Sequence, residues 1–206
     1  GNRWNVELVA ERGASLVGTV ARDATSPAAT VRFPSITLYQ AIPKGRKLDE
    51  VIRGLIQFGV TSIRPIVTRR SVVRPESGGN RTERWERIAR EAVQQSGAQR
   101  PVEVAEPVGL ESIASAPRAL SLVLHPEPLA QTTLHGYLGS IPDEIELVVG
   151  PEGGLCGDEI EELGSRGFQP LWLGPQVLRS ESAALFAAAA IRILILERAT
   201  WQPVET

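Results

Sequence analysis

The chain has 206 residues, 42% of them hydrophobic, and a formal net charge of −2. That is apolar content for one large or two small globular domains, and a charge balance that excludes a histone-like binder while leaving room for a local basic patch. A single cysteine, Cys156, excludes an internal disulfide and suggests a reducing compartment. As a small residue beside a turn it reads as packing rather than chemistry. The sequence begins at Gly1 and has no methionine, so it is expected to lack its natural start; it shows no signal peptide. The longest apolar run, 183–196, is broken by Arg192 and is shorter than the about 20 residues that cross a bilayer.

Residues 1–33 alternate and turn, with Trp4, Val6 and Leu8 on one parity and Gly13, Gly18 and 23–27 as turn residues. This predicts part of a small antiparallel β module, short for a core of its own. Pro34-Ser35 reads as a linker, which sets a boundary between 1–34 and 35–206. Residues 36–42 predict the first strand of the main domain, ending in a basic turn over 43–47. Leu48, Val51, Ile52, Leu55 and Ile56 then recur at helical spacing, and Gly59 closes that helix. A second strand over 62–67 completes a βαβ unit with parallel strands.

The next stretch changes character. Between Arg64 and Arg100 nine arginines face four glutamates, a local balance of +5. Residues 75–80 read as a flexible loop. Thr82 is expected to cap a helix with Trp85, Ile88, Ala89, Ala92 and Val93 on its apolar stripe, so that Arg84, Arg87 and Arg90 face away from it. Such a face is often only solvated, but the charges are all arginine and extend into both flanking loops; arginine suits phosphate. Short strands follow over 102–105 and 120–124, the second running into His125-Pro126-Glu127-Pro128, and then a weak helix or loop over 132–140.

The organising stretch is 146–197. An apolar run over 147–149 enters the turn Gly150-Pro151-Glu152-Gly153-Gly154, and a second over 171–173 enters Gly174-Pro175. Between them 158–166 predicts a short helix, capped by Asp158, with Glu159, Glu161 and Glu162 in its first turn and Gly167 at its end. After the second turn Arg179, a capping Ser180 and Glu181 open a long Ala-rich helix over 181–197, whose small residues suit close packing or a subunit interface. A polar tail, 201–206, ends the chain. Strand–loop–helix repetition predicts a parallel α/β arrangement, with ligands at the carboxyl ends of the strands, where both glycine turns lie. Neither turn is a dinucleotide fingerprint or a phosphate loop.

GPEGG followed about twenty residues later by LGPQVLRSESA resembles the RsmE family of the SPOUT superfamily, 16S rRNA methyltransferases acting on N3 of a uridine. Upstream, the run from Lys44-Gly45 through to Gly59-Val60, then Pro65 and Thr68-Arg69-Arg70-Ser71, is similar to its pattern, as are Arg84-Trp85, Ile88 and EAVQQSG over 91–97. Gly54, Gln57, Phe58 and Ala98 depart from it, standing where lysine, glutamate, leucine and arginine are usual.

The resemblance implies a mostly parallel SPOUT sheet with a C-terminal deep trefoil knot, preceded by the end of a PUA-like β domain. It also implies a homodimer in the cytoplasm, with no metal and no membrane. Its S-adenosylmethionine would meet three loops: Leu124, His125 and Pro126; Gly150, Pro151, Glu152, Gly153 and Gly154; and Leu173, Gly174, Val177, Leu178, Arg179, Ser182 and Ala183. Arg69, Arg70, Arg74, Arg84, Arg87 and Arg90 would grip the small-subunit RNA. Arg179 would stabilise an anionic base, while Glu181 or Glu152 would take its proton or, in the preferred reading, brace the loops; His125 is a titratable alternative. The competing readings are a SPOUT enzyme acting on another nucleoside, a non-catalytic RNA-binding homologue and, more distantly, a nucleotide-dependent oxidoreductase.

Overall fold

The computed structural model describes residues 4–12, 15–22, 33–72, 81–98 and 101–200, with the backbone alone for 4–12, 15–22 and 199–200. The chain divides into two units, Gly1–Val31 and Arg32–Thr206. In the first, β1 (Trp4–Arg12) and β2 (Ser15–Arg22) form an antiparallel hairpin whose register breaks between Leu8 and Ala10.

The second unit is built on parallel strands: β3 (Ser35–Ala41), β4 (Ser62–Val67), β5 (Glu103–Val104), β6 (Val108–Gly109), β7 (Leu120–Leu124), β8 (Glu144–Val149) and β9 (Gln169–Leu171). Their order is β5-β4-β3-β8-β7-β9, with β6 also pairing β4, and every described pairing is parallel. Central strands covered on both faces read as continuous apolar runs. Leu38, Leu122, Ile145, Leu147 and Val148 are accordingly sealed from solvent.

Helices α1 (Lys47–Gln57), α2 (Arg81–Ser96), α3 (Leu134–Tyr137), α4 (Gly157–Ser165) and α5 (Ser180–Thr200) connect or cover the strands. The stripe Leu48, Val51, Ile52, Leu55 and Ile56 is buried, as its spacing predicts. Two helices stop by one mechanism. Gly59 (φ 85°) ends α1, with Gly59 N–H donating to Ile56 O and Val60 N–H to Leu55 O. Gly167 (φ 92°) ends α4, with matching bonds to Gly164 O and from Phe168 N–H to Leu163 O. Glycine takes this left-handed position without a Cβ penalty, and the apolar residue after it packs back on the last turn; Val60 and Phe168 are both buried.

Several expected boundaries move. Asp158 does not cap α4: the cap position is Cys156, whose N–H donates to the carboxylate of Glu159 at 2.7 Å. Thr82 lies inside α2, and its hydroxyl donates to Glu106 at 2.8 Å. The strand expected over 171–173 is Gln169–Leu171, because Phe168 already belongs to the stop of α4 and the chain extends directly from it. Pro170 is tolerated there because β9 is an edge strand. The tail 201–206 lies outside the described residues.

One buried carboxylate fastens the sheet. Glu146, in β8, accepts from Tyr39 Oη in β3 (3.2 Å), from Ser121 Oγ in β7 (2.6 Å) and from Ala116 N–H (3.1 Å). Burial, and next the Glu146 charge, push the Tyr39 hydroxyl above its ordinary pKa, so it stays a donor. Leaving three buried donors unpaired costs free energy at each. Glu146→Ala is expected to destabilise the protein by about 3 kcal/mol in urea unfolding; a loss under about 1 kcal/mol would contradict this role.

Candidate functional site

Three loops meet above the carboxyl ends of β7, β8 and β9. Residues 124–127, 149–155, 173–174 and 176–180, with Ala183, line a hollow of about 700 Å³, to which Lys47 and Arg70 add long side chains. A small-molecule site falls in the range of about 300–1,000 Å³. Walls made of backbone and of Leu124, Pro126, Leu155, Leu173 and Leu178 suit an amphipathic ligand with an apolar stem. Gly154 (φ 71°) and Gly174 (φ 119°) occupy backbone conformations that side-chain-bearing residues rarely adopt, and they let each turn fold back close to the space it borders.

The two glycine turns are tied together by side chains. Ser180 Oγ donates to Gly150 O at 2.6 Å and accepts from Gln40 Nε2 at 2.8 Å; Gln40 also donates to Ala41 O at 3.0 Å. Gln40 and Ser180 are both buried. The bridge joins the end of β3, the turn after β8 and the first residue of α5. Ser180 is thus a cross-link, not the cap expected of it; Arg179 stands at the cap position, its O accepting from Ala183 N–H at 2.8 Å. The bridge persists although Gln40 Oε1 is left with no partner, a cost of about 1–3 kcal/mol.

The second tie is ionic. Lys47 Nζ lies 3.4 Å from Glu152 and 3.1 Å from Glu181, and Lys44 N–H donates to Glu152 at 3.2 Å. Burial alone would raise the Glu152 pKa. Its own backbone N–H, that of Lys44 and the Lys47 ammonium outweigh burial and hold the carboxyl below its usual range. Hydrogen bonding to Glu181, despite some desolvation, raises the Lys47 pKa. Both carboxylates are therefore braced by one cation.

Of the residues expected to hold a cofactor, those of all three loops line the hollow except Ser182, which is exposed and points elsewhere on α5. Glu181 stands behind Lys47 rather than in the wall. His125 is in the wall, with Nδ1 2.9 Å from Glu127 O. Each of the described arginines of the expected RNA grip has a partner on the protein. Arg84 pairs with the buried Asp49 of α1, so it faces a neighbouring helix and not open solvent. Arg87 pairs with Glu91 at 3.0 Å, Arg90 with Glu86 at 3.7 Å and Arg69 with Asp158 at 2.6 Å. Arg70 packs along Gly153 and donates to its carbonyl at 2.7 Å. Arg74 lies outside the described residues. Sequence reasoning missed Lys47 and Gln40. Their signals were a cation opening a helix and a polar side chain inside an apolar strand.

Among the described residues no group of three or more His, Cys, Asp or Glu side chains is placed to hold a metal ion, and no helix is long and apolar enough to cross a membrane.

Fold and hollow define a parallel α/β protein with a space of small-ligand size over the ends of its strands. The chain belongs to the RNA methyltransferase domain family, which residues 31–192 match. It is similar to the ribosomal RNA small subunit methyltransferase E of Synechocystis (35% identity over 203 residues, 95% of this chain and 64% of that one). It is also similar to the protein of the same name from Aquifex aeolicus (34% over 159 residues, 73% and 65%). The chain thus spans a little under two thirds of the length of these relatives. A crystal structure of ribosomal RNA small subunit methyltransferase E from Neisseria gonorrhoeae bound to S-adenosyl methionine superimposes with a TM-score of 0.73 at 28% identity, covering 94% of this chain and 79% of that one. The resemblance carried by GPEGG and LGPQVLRSESA is borne out.

The ionic tie has a pH signature. A carboxyl with a lowered folded pKa contributes stability above its unfolded pKa, and that contribution disappears as pH falls through the folded value. Glu152→Gln is therefore expected to melt below the parent protein at neutral pH, with the gap closing in acid. A gap that is the same at every pH, measured by thermal melts, would contradict the tie.

Proposed function

We propose that the protein is an S-adenosylmethionine-dependent methyltransferase acting on N3 of a uridine in 16S rRNA of the small ribosomal subunit. The observation that carries this reading is the shared hollow: three loops from separate parts of the sequence converge on one space of cofactor size. Family membership and the cofactor-bound Neisseria structure support it. The residues present fit the cofactor, since the walls pair apolar side chains with backbone groups of glycine turns.

When bound, S-adenosylmethionine supplies an electrophilic methyl group on a sulfonium. The protein's own part is alignment, which accounts for much of the rate in a displacement. Gly150, Gly153, Gly154 and Gly174 let backbone groups approach the ligand, and Leu173, Val177 and Leu178 shield it from water. Arg179, exposed at the head of α5 and with no ion pair among the described residues, stabilises the negative charge that develops on the base as N3 loses its proton. Glu152 and Glu181, both held by Lys47, brace the turns, and the N3 proton leaves to solvent water.

The uridine is splayed from its helix to reach the hollow. Arg87, Arg90 and Arg69 exchange weak surface pairs for RNA phosphates and Arg74 adds its charge, while Arg84 and Arg70 serve packing and the glycine turn. The hairpin belongs to the end of a PUA-like domain, 1–34, ahead of a SPOUT domain, 35–206.

The chain leaves β9 at the edge of the sheet, yet Ser180 is bonded to groups beside β3 and β8. This return across the strand ends supports a trefoil knot. Phe186 and Ile193, 53% and 51% exposed, lie two turns apart on α5 and suit a homodimer contact. The protein then works in the cytoplasm, where the subunit RNA is. Arg179→Ala is expected to fold, to bind S-adenosylmethionine and to lose methyl transfer to small-subunit RNA by at least about a hundredfold, read by mass mapping. A folded variant with parental transfer would overturn the role of Arg179, and an intact protein that leaves the RNA unmethylated would overturn the function.

A further inference from the structure

The hollow depends on a residue that belongs to none of its three loops. Lys47 is the first residue of α1, after a cap position, Arg46, that makes no side-chain cap bond. Cations at a helix start oppose the helix dipole, and Arg46 and Lys47 both do so, although Asp49 and Glu50 in the first turn follow the rule; of the two, only Lys47 has ion-pair partners among the described residues. A broken local rule points to a requirement from elsewhere. Here the requirement is visible. The ammonium sits between Glu152 of the first glycine turn and Glu181 at the head of α5, while the side chain borders the hollow. Lys44, one turn earlier in the chain, adds its N–H to the same Glu152.

We infer that Lys47 is the positioning residue that sets the spacing of the two glycine turns for the cofactor; this rests on the methyltransferase reading above. Lys47 does not touch the reacting atoms. It fixes the distance between two carboxylates that would otherwise repel and spread the turns. Its loss acts on cofactor affinity and KM, not on the chemical step. Because Lys47 disfavours its own helix end, removing the charge does not unfold α1.

The test is equilibrium binding of S-adenosylmethionine to the full chain, with thermal melts and steady-state transfer alongside. Lys47→Gln is expected to melt close to the parent and to bind the cofactor about tenfold more weakly. Its KM should rise while kcat stays near the parental value. Lys47→Arg, which keeps the charge and the reach, should recover most of the affinity. In a Glu181→Gln background the Lys47→Gln change should cost little more, since the pair acts as one unit. A folded Lys47→Gln protein with parental affinity would overturn the inference, as would a loss confined to kcat. A parent chain that binds no S-adenosylmethionine is a different result: it removes the methyltransferase reading itself, and the positioning role with it.

Discussion

Ser180 Oγ is the atom on which the second unit closes. It accepts a hydrogen bond from Gln40 and donates one to Gly150 O, so one hydroxyl serves the end of β3, the turn after β8 and the start of α5. Strand pairing sets Gln40 opposite Val149, but it does not bring the start of α5 to them. The chain leaves the sheet at its edge strand, β9, and has to come back to its middle before α5 can pack on α1. A buried hydroxyl with both hydrogen bonds made fixes where that return ends, and a misplaced one would leave two buried groups unpaired.

The remaining features of the site follow from this closure. Small residues on α5 (Ala184, Ala187 and Ala188, all buried) let the returning helix lie close against the sheet and α1. On α1 the facing position is Gly54, where a Cβ would overlap Leu185 of α5. The lysine usual there in the RsmE family would need Leu185 to move, so this departure belongs to packing between the two helices. With the helix seated, Glu181 comes within reach of Lys47, and the ionic tie adds to the hydroxyl bridge across the same gap. On the other side of the first turn, Arg70 holds Gly153 O and Glu159 accepts from Arg69 N–H at 2.8 Å. The segment 68–71 is thereby fastened to the first glycine turn and to α4 as well. The proposed RNA-facing segment and the proposed cofactor loop are held together by these bonds, an arrangement that suits a group transfer.

What the sequence made legible was what is decided locally. The α1 stripe and the glycine stops at 59 and 167 depend on neighbours within one turn, and they were read correctly. Two of the loops were found because glycine turns at strand ends carry a physical meaning; the loop at 124–126, and the grouping of all three, came from the family resemblance. The order of the strands was not legible, because it is set by pairings as distant as β3 with β8. Side chains whose partners lie far along the chain were misread for the same reason. Arg84 looked like solvent-facing charge until Asp49 was placed opposite it, and Ser180 looked like a cap until Gly150 was. Lys47 and Gln40 carried a signal, each breaking the local pattern around it, but nothing nearby says which distant groups they answer.

One hydroxyl, on Ser180, holds the turn after β8 to the segment that leads from Gly174 into α5. Amide hydrogen exchange at residues 150–154 and 173–179, compared between the parent and Ser180→Ala, tests it most directly. The account predicts that both segments lose protection together in the variant. Loosening confined to the first turn of α5, with 150–154 still protected, would contradict it.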